Sequence, residues 1–324
     1  MTVETIIDGD LIAFKAAAAG EKRTVDVYDS SGKYVGEYKN RTEFKATIPK
    51  DQHNEYEFKD IQRPEPIENV LHTAKKMING IAEKCEADEY FTALSGKNNF
   101  RDEIPLPTKY KSNRKGTVKP LLLGDVREYI VNHHDCVVTD GYEADDYLSM
   151  RAFEGWKYGK KIIQSSADKD AMQCKGWVFN WDKHEKPIYI DAGIGSLTWN
   201  VKDGVKGQGH IWLLAQSVLG DATDDYKPSE LAGVRWGGKG CYTLLKDCKT
   251  FKAAYKAVYN QYKQWYPEPV TYTAWDGKEY TKDAVEIWQM YFDCARMLQY
   301  EGEYILVKDV LNMLNIGGND EQNP

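Results

Sequence analysis

Four short groups of acidic residues are the part of this sequence best suited to chemistry. They are Asp8–Asp10, Glu143–Asp146, Asp168–Asp170 and Asp221–Asp225. The first three follow apolar stretches with the pattern of buried strands, and ligands of open α/β sheets gather at the carboxyl ends of strands. Within two groups, Glu143 and Asp146 or Asp221 and Asp224 are three positions apart, which places side chains on one helix face. The spacing predicts that acids from separate segments meet at one rim of a sheet.

Carboxylates gathered at one point repel one another unless a cation neutralises them. Oxygen ligands suit hard divalent ions, and two Mg²⁺ ions about 3.5–4 Å apart can stabilise the attacking and leaving oxygens of a phosphodiester displacement. The four groups contain no His or Cys, which disfavours zinc. Taken singly, each group is more typical of a helix cap, a turn or a solvated face, and none continues into a calcium-binding loop. Their joint arrangement favours a two-metal site.

A basic segment precedes the second acidic group. Between residues 109 and 123 there are five basic residues and no acidic one, namely Lys109, Lys111, Arg114, Lys115 and Lys119. Such a segment can follow a phosphate backbone with salt-dependent affinity. The alternative is an ordinary solvated surface loop.

The amino-acid composition indicates to which broad classes of protein the chain can belong. The chain has 324 residues, 42% of them hydrophobic, and a net charge of −7. The uneven distribution of charge means that this acidic balance does not exclude a nucleic-acid partner. No apolar run reaches the about 18 residues of a membrane span, and no secretory signal is evident in the opening MTVETIIDGD. Six cysteines without a CxxC pair predict reduced thiols and a cytoplasmic location.

The order of elements predicts an α/β fold with a mainly parallel central sheet flanked by helices. The strand candidates are 3–7, 89–94, 136–138, 161–166, 177–181 and 187–192. Residues 23–62 predict a β-hairpin insertion that ends in a charged loop at 50–63. The pattern becomes mainly helical after residue 205. We therefore predict an α/β domain at 1–204 and a helical part at 205–324, with a disordered tail from residue 317.

The acidic and basic motifs together resemble those of the 5′-nuclease (flap endonuclease) superfamily, and most of all the 5′→3′ exonucleases of tailed bacteriophages. The resemblance rests on IIDGD, YKSNRK, GYEADD, SSADKDAM and LGDATDD with GVRWGGKGCYTLL, and on the later QMYFDCARMLQYEGEY. It implies a PIN-like α/β catalytic domain and two divalent ions, Mg²⁺ with Mn²⁺ able to substitute. The centre of the implied site comprises Asp8, Glu143, Asp145, Asp146, Asp168 and Asp170, and the second metal position adds Asp221 and Asp224.

The resemblance also implies how nucleic acid is held. Residues 95–133 would form a clamp or arch over a 5′ end, in which Lys111 and Arg114 hold the scissile phosphate. Tyr110 would stack on a terminal base, and Lys115 would bind the backbone. A helix–three-turn–helix near 219–245 would grip duplex through Gly237, Gly238 and Lys239, and a monovalent cation can bind there in relatives.

The function implied is a divalent-metal-dependent 5′→3′ DNA exonuclease or flap endonuclease, acting on duplex ends, gaps or flaps and on RNA–DNA hybrids. One departure from the family pattern leaves an alternative open. Gly96 stands where an additional Asp is expected, so the chain could be a weak or inactive 5′-end-binding protein, unless water, substrate phosphate or Asp10 fills the place. A single-stranded RNA nuclease is a further alternative, which gives no reason for the helix–three-turn–helix. The location would be the cytoplasm of a bacterial host.

Overall fold

The computed structural model describes residues 2–317, so the predicted tail at 317–324 lies outside the described residues except for its first residue. The strands are β1 (Val3–Asp8), β2 (Glu21–Asp29), β3 (Tyr34–Tyr38), β4 (Tyr56–Pro64), β5 (Glu89–Leu94), β6 (Cys136–Val138), β7 (Lys161–Ser165), β8 (Gly176–Phe179), β9 (Ile188–Ile190), β10 (Ser196–Asn200), β11 (Gly204–Gln208), β12 (Val270–Thr273) and β13 (Glu279–Lys282). The helices are α1 (Gly9–Ala19), α2 (Arg41–Lys45), α3 (Ile67–Lys84), α4 (Leu123–His133), α5 (Ala144–Tyr158), α6 (His210–Leu219), α7 (Gly238–Leu245), α8 (Phe251–Trp265), α9 (Ala284–Ala295) and α10 (Val307–Met313). Short 3₁₀ helices occupy Lys50–Glu55, Phe100–Glu103, Ser112–Arg114 and Asp170–Gln173.

The largest sheet has six strands in the order β6–β5–β1–β7–β8–β9. Pairing is parallel from β6 to β8, and β9 runs antiparallel to β8. Ile6 and Ile7 of the central β1 are fully buried, as expected for a strand covered on both faces. The carboxyl ends of β1, β5 and β7 therefore lie side by side at one edge. The predicted α/β fold with a mainly parallel sheet is confirmed.

The described residues form two compact units. One contains 2–8, 81–117 and 136–317, and the other contains 9–80 and 118–135. Helices α6 to α10 belong to the same unit as the six-stranded sheet, so the compact units do not follow the predicted boundary at residue 204. The division into a catalytic part before residue 204 and a DNA-binding part after it stays a prediction.

The smaller unit contains a three-stranded antiparallel sheet in the order β3–β2–β4, where a hairpin was predicted. The prediction of a loop at 50–63 was wrong, because most of this stretch is β4. Tyr56 and Phe58 alternate with charged residues there and pack their rings edge-on against buried Phe44. The charged residues concealed this alternation in the sequence. In the same unit α1 packs against α4, and Asp10 pairs with Arg127.

The helical part of the larger unit has a core rich in aromatic residues. Tyr262 of α8 donates a hydrogen bond to Ser217 O at 2.5 Å, and Trp288 of α9 donates to Ser217 Oγ at 3.2 Å. The hairpin β12–β13 interrupts the region after residue 205 that was predicted to be mainly helical, and the hairpin β10–β11 lies at its start. All six cysteines are free thiols. Within residues 2–317, no helix has both the length and the apolar character needed to cross a bilayer.

Candidate active site

Asp8 and Asp168 come together because β1 and β7 are parallel neighbours. Asp8 is the last residue of β1, and Asp168 lies three residues beyond β7. Ser166 connects them: its Oγ donates to Asp8 Oδ2 at 2.8 Å and accepts from the Asp168 backbone N–H at 3.1 Å. The sequence analysis missed Ser166, although its place one residue after a buried strand is a usable signal. This hydroxyl fixes the relative position of two predicted metal ligands.

The N-terminus of α5 carries the second acidic group to the same rim. Burial raises the pKa of Asp145 well above its usual value, and the neighbouring carboxylates of Asp8, Asp168 and Glu143 raise it further. Lys111 acts in the opposite direction but does not cancel the effect. Acids from three segments thus converge at the carboxyl edge of the sheet, as the spacing predicted.

Asp146 has different surroundings from its neighbour Asp145. It is fully buried, and Arg101 donates to its two oxygens at 2.7 and 2.9 Å. The backbone N–H groups of Glu143 and Leu298 also donate to it, at 3.0 and 3.1 Å. Because four donors already engage this carboxylate, the structure corrects the expectation that Asp146 contributes to the metal centre. Its contacts instead anchor the first turn of α5.

Arg101 belongs to an interior ion network that the sequence did not reveal. Its guanidinium also donates to Cys294 O at 3.2 Å and Arg296 O at 2.6 Å. Arg296 in turn pairs with Asp293 at 2.8 Å and lies 3.5 Å from Glu303. Arg101 has 0% exposure, yet it lies in the segment FRDE, which has the composition of a surface loop. No local pattern connects it to a partner 45 positions away.

A further group of acids lies between the end of β7 and the loop after α6. Carboxylate oxygens of Asp170, Asp221 and Asp224 all lie within 4.8 Å of one another. Burial and the nearby Asp168 raise the pKa of Asp170 well above its usual value. Burial also opposes ionisation of Asp221, but the hydrogen bond from Lys169 Nζ at 2.5 Å outweighs it and lowers the pKa. Burial raises the pKa of Asp224, with Glu143 contributing in the same direction.

The donor set fits hard divalent cations. It consists of carboxylate oxygens, and it includes three that are close enough to share one ion. The pKa values of Asp145 and Asp170 are strongly raised, first by burial and then by neighbouring carboxylates. Such ions take oxygen ligands at about 2.0–2.6 Å, which spacings of this size allow. The residues that would hold them are Asp170, Asp221 and Asp224 on one side, and Asp8, Glu143, Asp145 and Asp168 on the other.

The basic segment lies directly on the acidic rim. Lys111 pairs with Glu143 and lies 3.7 Å from Asp224, while Arg114 donates to Asp224 Oδ1 at 2.8 Å. The Lys111 backbone is left-handed, with φ +56°, and its N–H donates to Asp224 O at 2.8 Å. Ser112 Oγ donates to Asp225 at 2.5 Å. The two cations predicted to hold the scissile phosphate, Lys111 and Arg114, therefore meet the same carboxylate, that of Asp224.

Tyr110 does not have the exposed position that stacking on a terminal base requires. Only 4% of it is exposed, and its hydroxyl donates to Asp224 Oδ2 at 2.8 Å. Its ring lies beside that of Tyr226, with centroids 6.3 Å apart. The structure thus corrects the base-stacking expectation, because this aromatic side chain packs in the core and orients Asp224. Lys115, by contrast, is exposed as its predicted role requires.

Gly96 follows the carboxyl end of β5, at the edge where an additional Asp was expected. A Cβ atom built on it would lie 2.0 Å from Thr139 O and 3.2 Å from Thr139 C. Real Cβ atoms do not approach backbone this closely, so no side chain fits without a shift of the 139–140 backbone. The position of the Thr139 carbonyl therefore prevents an acidic side chain at residue 96.

The predicted helix–three-turn–helix corresponds to α6, a series of turns at 221–233, and α7. Gly237 caps α7 in extended conformation, and Gly238 is its first residue. Gly237 and Lys239 are exposed, so this helix N-terminus is open to a phosphate group. Asp221 and Asp224 lie at the opposite end of the same turns. One connection thus carries two predicted metal ligands and a predicted backbone-binding surface.

The fold is shared with phage T5 proteins of known structure. The T5 D15 protein co-crystallised with metal ions has a TM-score of 0.51 at 13% identity, and the match covers 96% of both chains. A variant of T5 5′-exonuclease has a TM-score of 0.50 at 12% identity, with 97% of this chain and 100% of that one covered. These likenesses define the chain as one with the fold of the T5 5′-exonuclease.

The amino-acid sequence is also similar to those of two phage nucleases. An exodeoxyribonuclease of Enterobacteria phage T3 is 28% identical over 137 residues, which are 41% of this chain and 40% of that protein. An exonuclease of Escherichia phage T7 is 27% identical over 148 residues, 45% of this chain and 43% of that protein. The match spans about two fifths of the length of these curated relatives. No protein-family model matches the chain. The chain is thus similar in sequence to these two phage exonucleases over part of its length, and it shares the fold of the T5 5′-exonuclease.

Proposed function

We propose that the protein is a divalent-metal-dependent 5′→3′ DNA exonuclease or flap endonuclease. The observation that carries the proposal is the convergence of carboxylates from four chain segments beneath a docked basic segment. Acids without balancing charge bind cations, and an adjacent Lys and Arg bind phosphate, so the two features together favour a phosphodiester. The names of the relatives, exodeoxyribonuclease and exonuclease, point to the same chemistry.

The cofactors we assign are two Mg²⁺ ions, for which Mn²⁺ can substitute. Bound there, they would supply charge neutralisation and lower the pKa of water for attack on the phosphodiester. Ser166 holds Asp8 and Asp168 in fixed relation, and Gln216 and Lys169 hold Asp170 and Asp221. These contacts orient the ligands before any ion arrives, which limits the cost of assembling the site.

Lys111 and Arg114 are the residues we assign to the scissile phosphate. Both point at the acidic rim, where a phosphate held by the metal ligands would meet them. Their positive charge would offset the charge that develops on the phosphoryl oxygens during displacement. When phosphate enters, Lys111 and Arg114 would exchange their carboxylate partners for phosphate oxygens.

The DNA is held away from the cut, in our proposal, by the N-terminus of α7. Gly237, Gly238 and Lys239 would contact phosphates rather than bases, which predicts weak sequence preference. A monovalent cation bound by the turns between α6 and α7 would support that contact. Because backbone contacts of this kind do not select one sugar strictly, RNA–DNA hybrids are included among the proposed substrates.

The decisive experiment uses a duplex labelled at the 5′ end of one strand and a matched duplex labelled at its 3′ end. Purified protein is incubated with Mg²⁺, with Mn²⁺ or with chelator. We expect metal-dependent release of short products from the 5′ label and stepwise shortening of the 3′-labelled strand. Asp168→Asn should lose this activity and keep DNA binding. Cleavage by Asp168→Asn at the wild-type rate would overturn the site assignment.

A second candidate is a 5′-end-binding protein with little catalysis, and the observation that favours it is Gly96. The local backbone excludes the additional carboxylate that the family pattern expects. The other acids argue against this candidate, since a protein that only bound DNA would have no use for unbalanced buried charge. Binding of 5′ ends without cleavage under either metal would support it over the nuclease.

A further inference from the structure

An open cavity of about 340 Å³ lies beside the acidic rim, on the side of Glu143 that faces Gly96. This volume is within the range of small-molecule sites in proteins. Its lining includes four lysines, Lys97, Lys109, Lys111 and Lys115. Of these four, only Lys111 is used in the proposed function, and Lys115 has a predicted contact with the DNA backbone. The cavity therefore contains positive charge that the cleavage site does not account for.

The charges around the cavity are only partly paired. Lys109 lies 3.8 Å from Asp102, and Lys111 pairs with Glu143. Among the described residues, the ammonium groups of Lys97 and Lys115 have no ion-pair partner, and both side chains are exposed. Two positive charges thus remain in a concave site within reach of the acids that would bind metal.

The wall that carries Lys97 is fixed before any ligand binds. Ser95 Oγ accepts from the Ala144 backbone N–H at 2.9 Å, and Asn98 donates to Asp140 at 2.7 Å. The Phe100 backbone N–H donates to Gly141 O at 2.9 Å. A wall held in this way binds a ligand without the cost of ordering a loop.

Gly96 keeps this wall free of negative charge. It lines the cavity, and its contact with Thr139 O excludes any side chain at this position. An Asp here would add a carboxylate between the lysines and would repel an anion. The same glycine that removes an expected acid from the rim therefore leaves the cavity suited to an anion.

We propose that this cavity binds the 5′-terminal phosphate of the DNA strand, an inference that rests on the proposed nuclease function. A terminal phosphate monoester carries about −1.5 to −2 charges at pH 7, whereas each internal phosphodiester carries one. The two unpaired lysines match the doubly charged terminal group. The cavity would then select phosphorylated ends and set the distance from the end to the cut.

The test compares two duplexes that are identical except for a 5′-phosphate or a 5′-hydroxyl on the cleaved strand. Wild-type protein should cleave the phosphorylated end with a kcat/KM about tenfold or more higher, the effect of one or two charge-assisted hydrogen bonds. Lys97→Met should reduce this ratio at least about threefold, and Lys97→Arg should keep it. Lys202→Met, which removes an exposed lysine of the β10–β11 turn, is the matched control and should leave the ratio unchanged.

The same pair of ends is also compared by fluorescence anisotropy in chelator, which does not depend on cleavage. Tighter binding of the phosphorylated end by wild type, lost in Lys97→Met, supports the inference even if no cleavage occurs. Cleavage with equal preference for the two ends overturns the inference and leaves the nuclease proposal standing. Equal weakening of both ends by Lys97→Met would also overturn it, because that result indicates contact with an internal phosphate.

Discussion

Asp145 and Asp146 are neighbours in the first turn of α5, yet they belong to opposite kinds of electrostatic environment. Asp146 is enclosed by Arg101 and two backbone N–H groups. Asp145 faces the carboxylates of Asp8, Asp168 and Glu143, and its pKa is raised mainly by burial. The protein supplies hydrogen-bond donors to both oxygens of Asp146, whereas the nearest charges around Asp145 are mainly those of other carboxylates.

The difference shows how the fold supports an unfavourable site. A partly buried carboxylate without a partner, such as that of Asp145, destabilises the folded state, so the elements that carry it need a firm attachment elsewhere. The interior ion network supplies that attachment one residue away, by joining α5 to the segment after α9. Asp146 thus holds the first turn of α5 in place, and the adjacent Asp145 is left available to bind a cation.

The largest effect that we expect is a loss of stability when the ion pair between Asp146 and Arg101 is broken. Asp146→Ala should lower the free energy of unfolding by about 3–5 kcal/mol, because it leaves the buried Arg101 guanidinium without the carboxylate that accepts two of its hydrogen bonds. Chemical denaturation would measure this. The double variant Arg101→Met with Asp146→Leu removes both charges and should recover most of the stability. A single variant as stable as wild type would show that the network is not the anchor.

A change at Asp145 should affect the rate of cleavage rather than the stability of the fold. Asp145→Asn should slow cleavage more than about a hundredfold, beyond the usual effect of residues that only support metal ligands. Its stability without metal should be equal to or above that of wild type, since a repelling charge is gone. Rate assays and thermal unfolding of the same preparation would measure both. A large loss of stability would place Asp145 with Asp146.

Metal should supply the charge that the site lacks. With free Mg²⁺ at a hundred times its Kd, the free energy of unfolding should rise by about 2.7 kcal/mol, and chelator should reverse the gain. Asp170→Asn should lose most of this stabilisation. Asp247→Asn, a change at an exposed acid, serves as the control. An equal gain in wild type and Asp170→Asn would mean that the ion binds elsewhere.

The smallest effect concerns the cations at the rim. Lys111→Met should slow cleavage about tenfold, less than for a fully preorganised buried donor because part of the side chain is solvated. Duplex affinity should change less than about threefold. In contrast, Lys239→Met should weaken duplex binding and leave turnover of bound substrate nearly intact. A collapse of binding in Lys111→Met with normal turnover would exclude its assignment to the scissile phosphate.

The sequence predicted that Asp8, Glu143, Asp145 and Asp168 would converge, because these acids lie just after apolar strands or at the start of a helix. Parallel strands bring such positions to one edge whatever the loops between them do. Pairings across long separations were not predictable: nothing near Arg101 indicates Asp146, and nothing near Tyr110 indicates burial against Asp224. The strand β4 was missed for a different reason, since its charged residues outnumber the two rings that pack on Phe44.

The reach of Arg101 along the chain has a consequence for synthesis in the cell. Two of its acceptors, Cys294 O and Arg296 O, lie 193 and 195 residues later. At translation rates of about 5–20 residues per second, these partners are made about 10–40 s after Arg101 itself. The first turn of α5 is therefore secured only after residues 294–298 have been made. Under the proposed nuclease function, a nascent chain would lack a firmly held α5, and with it a complete acidic site, until residue 298 has been translated.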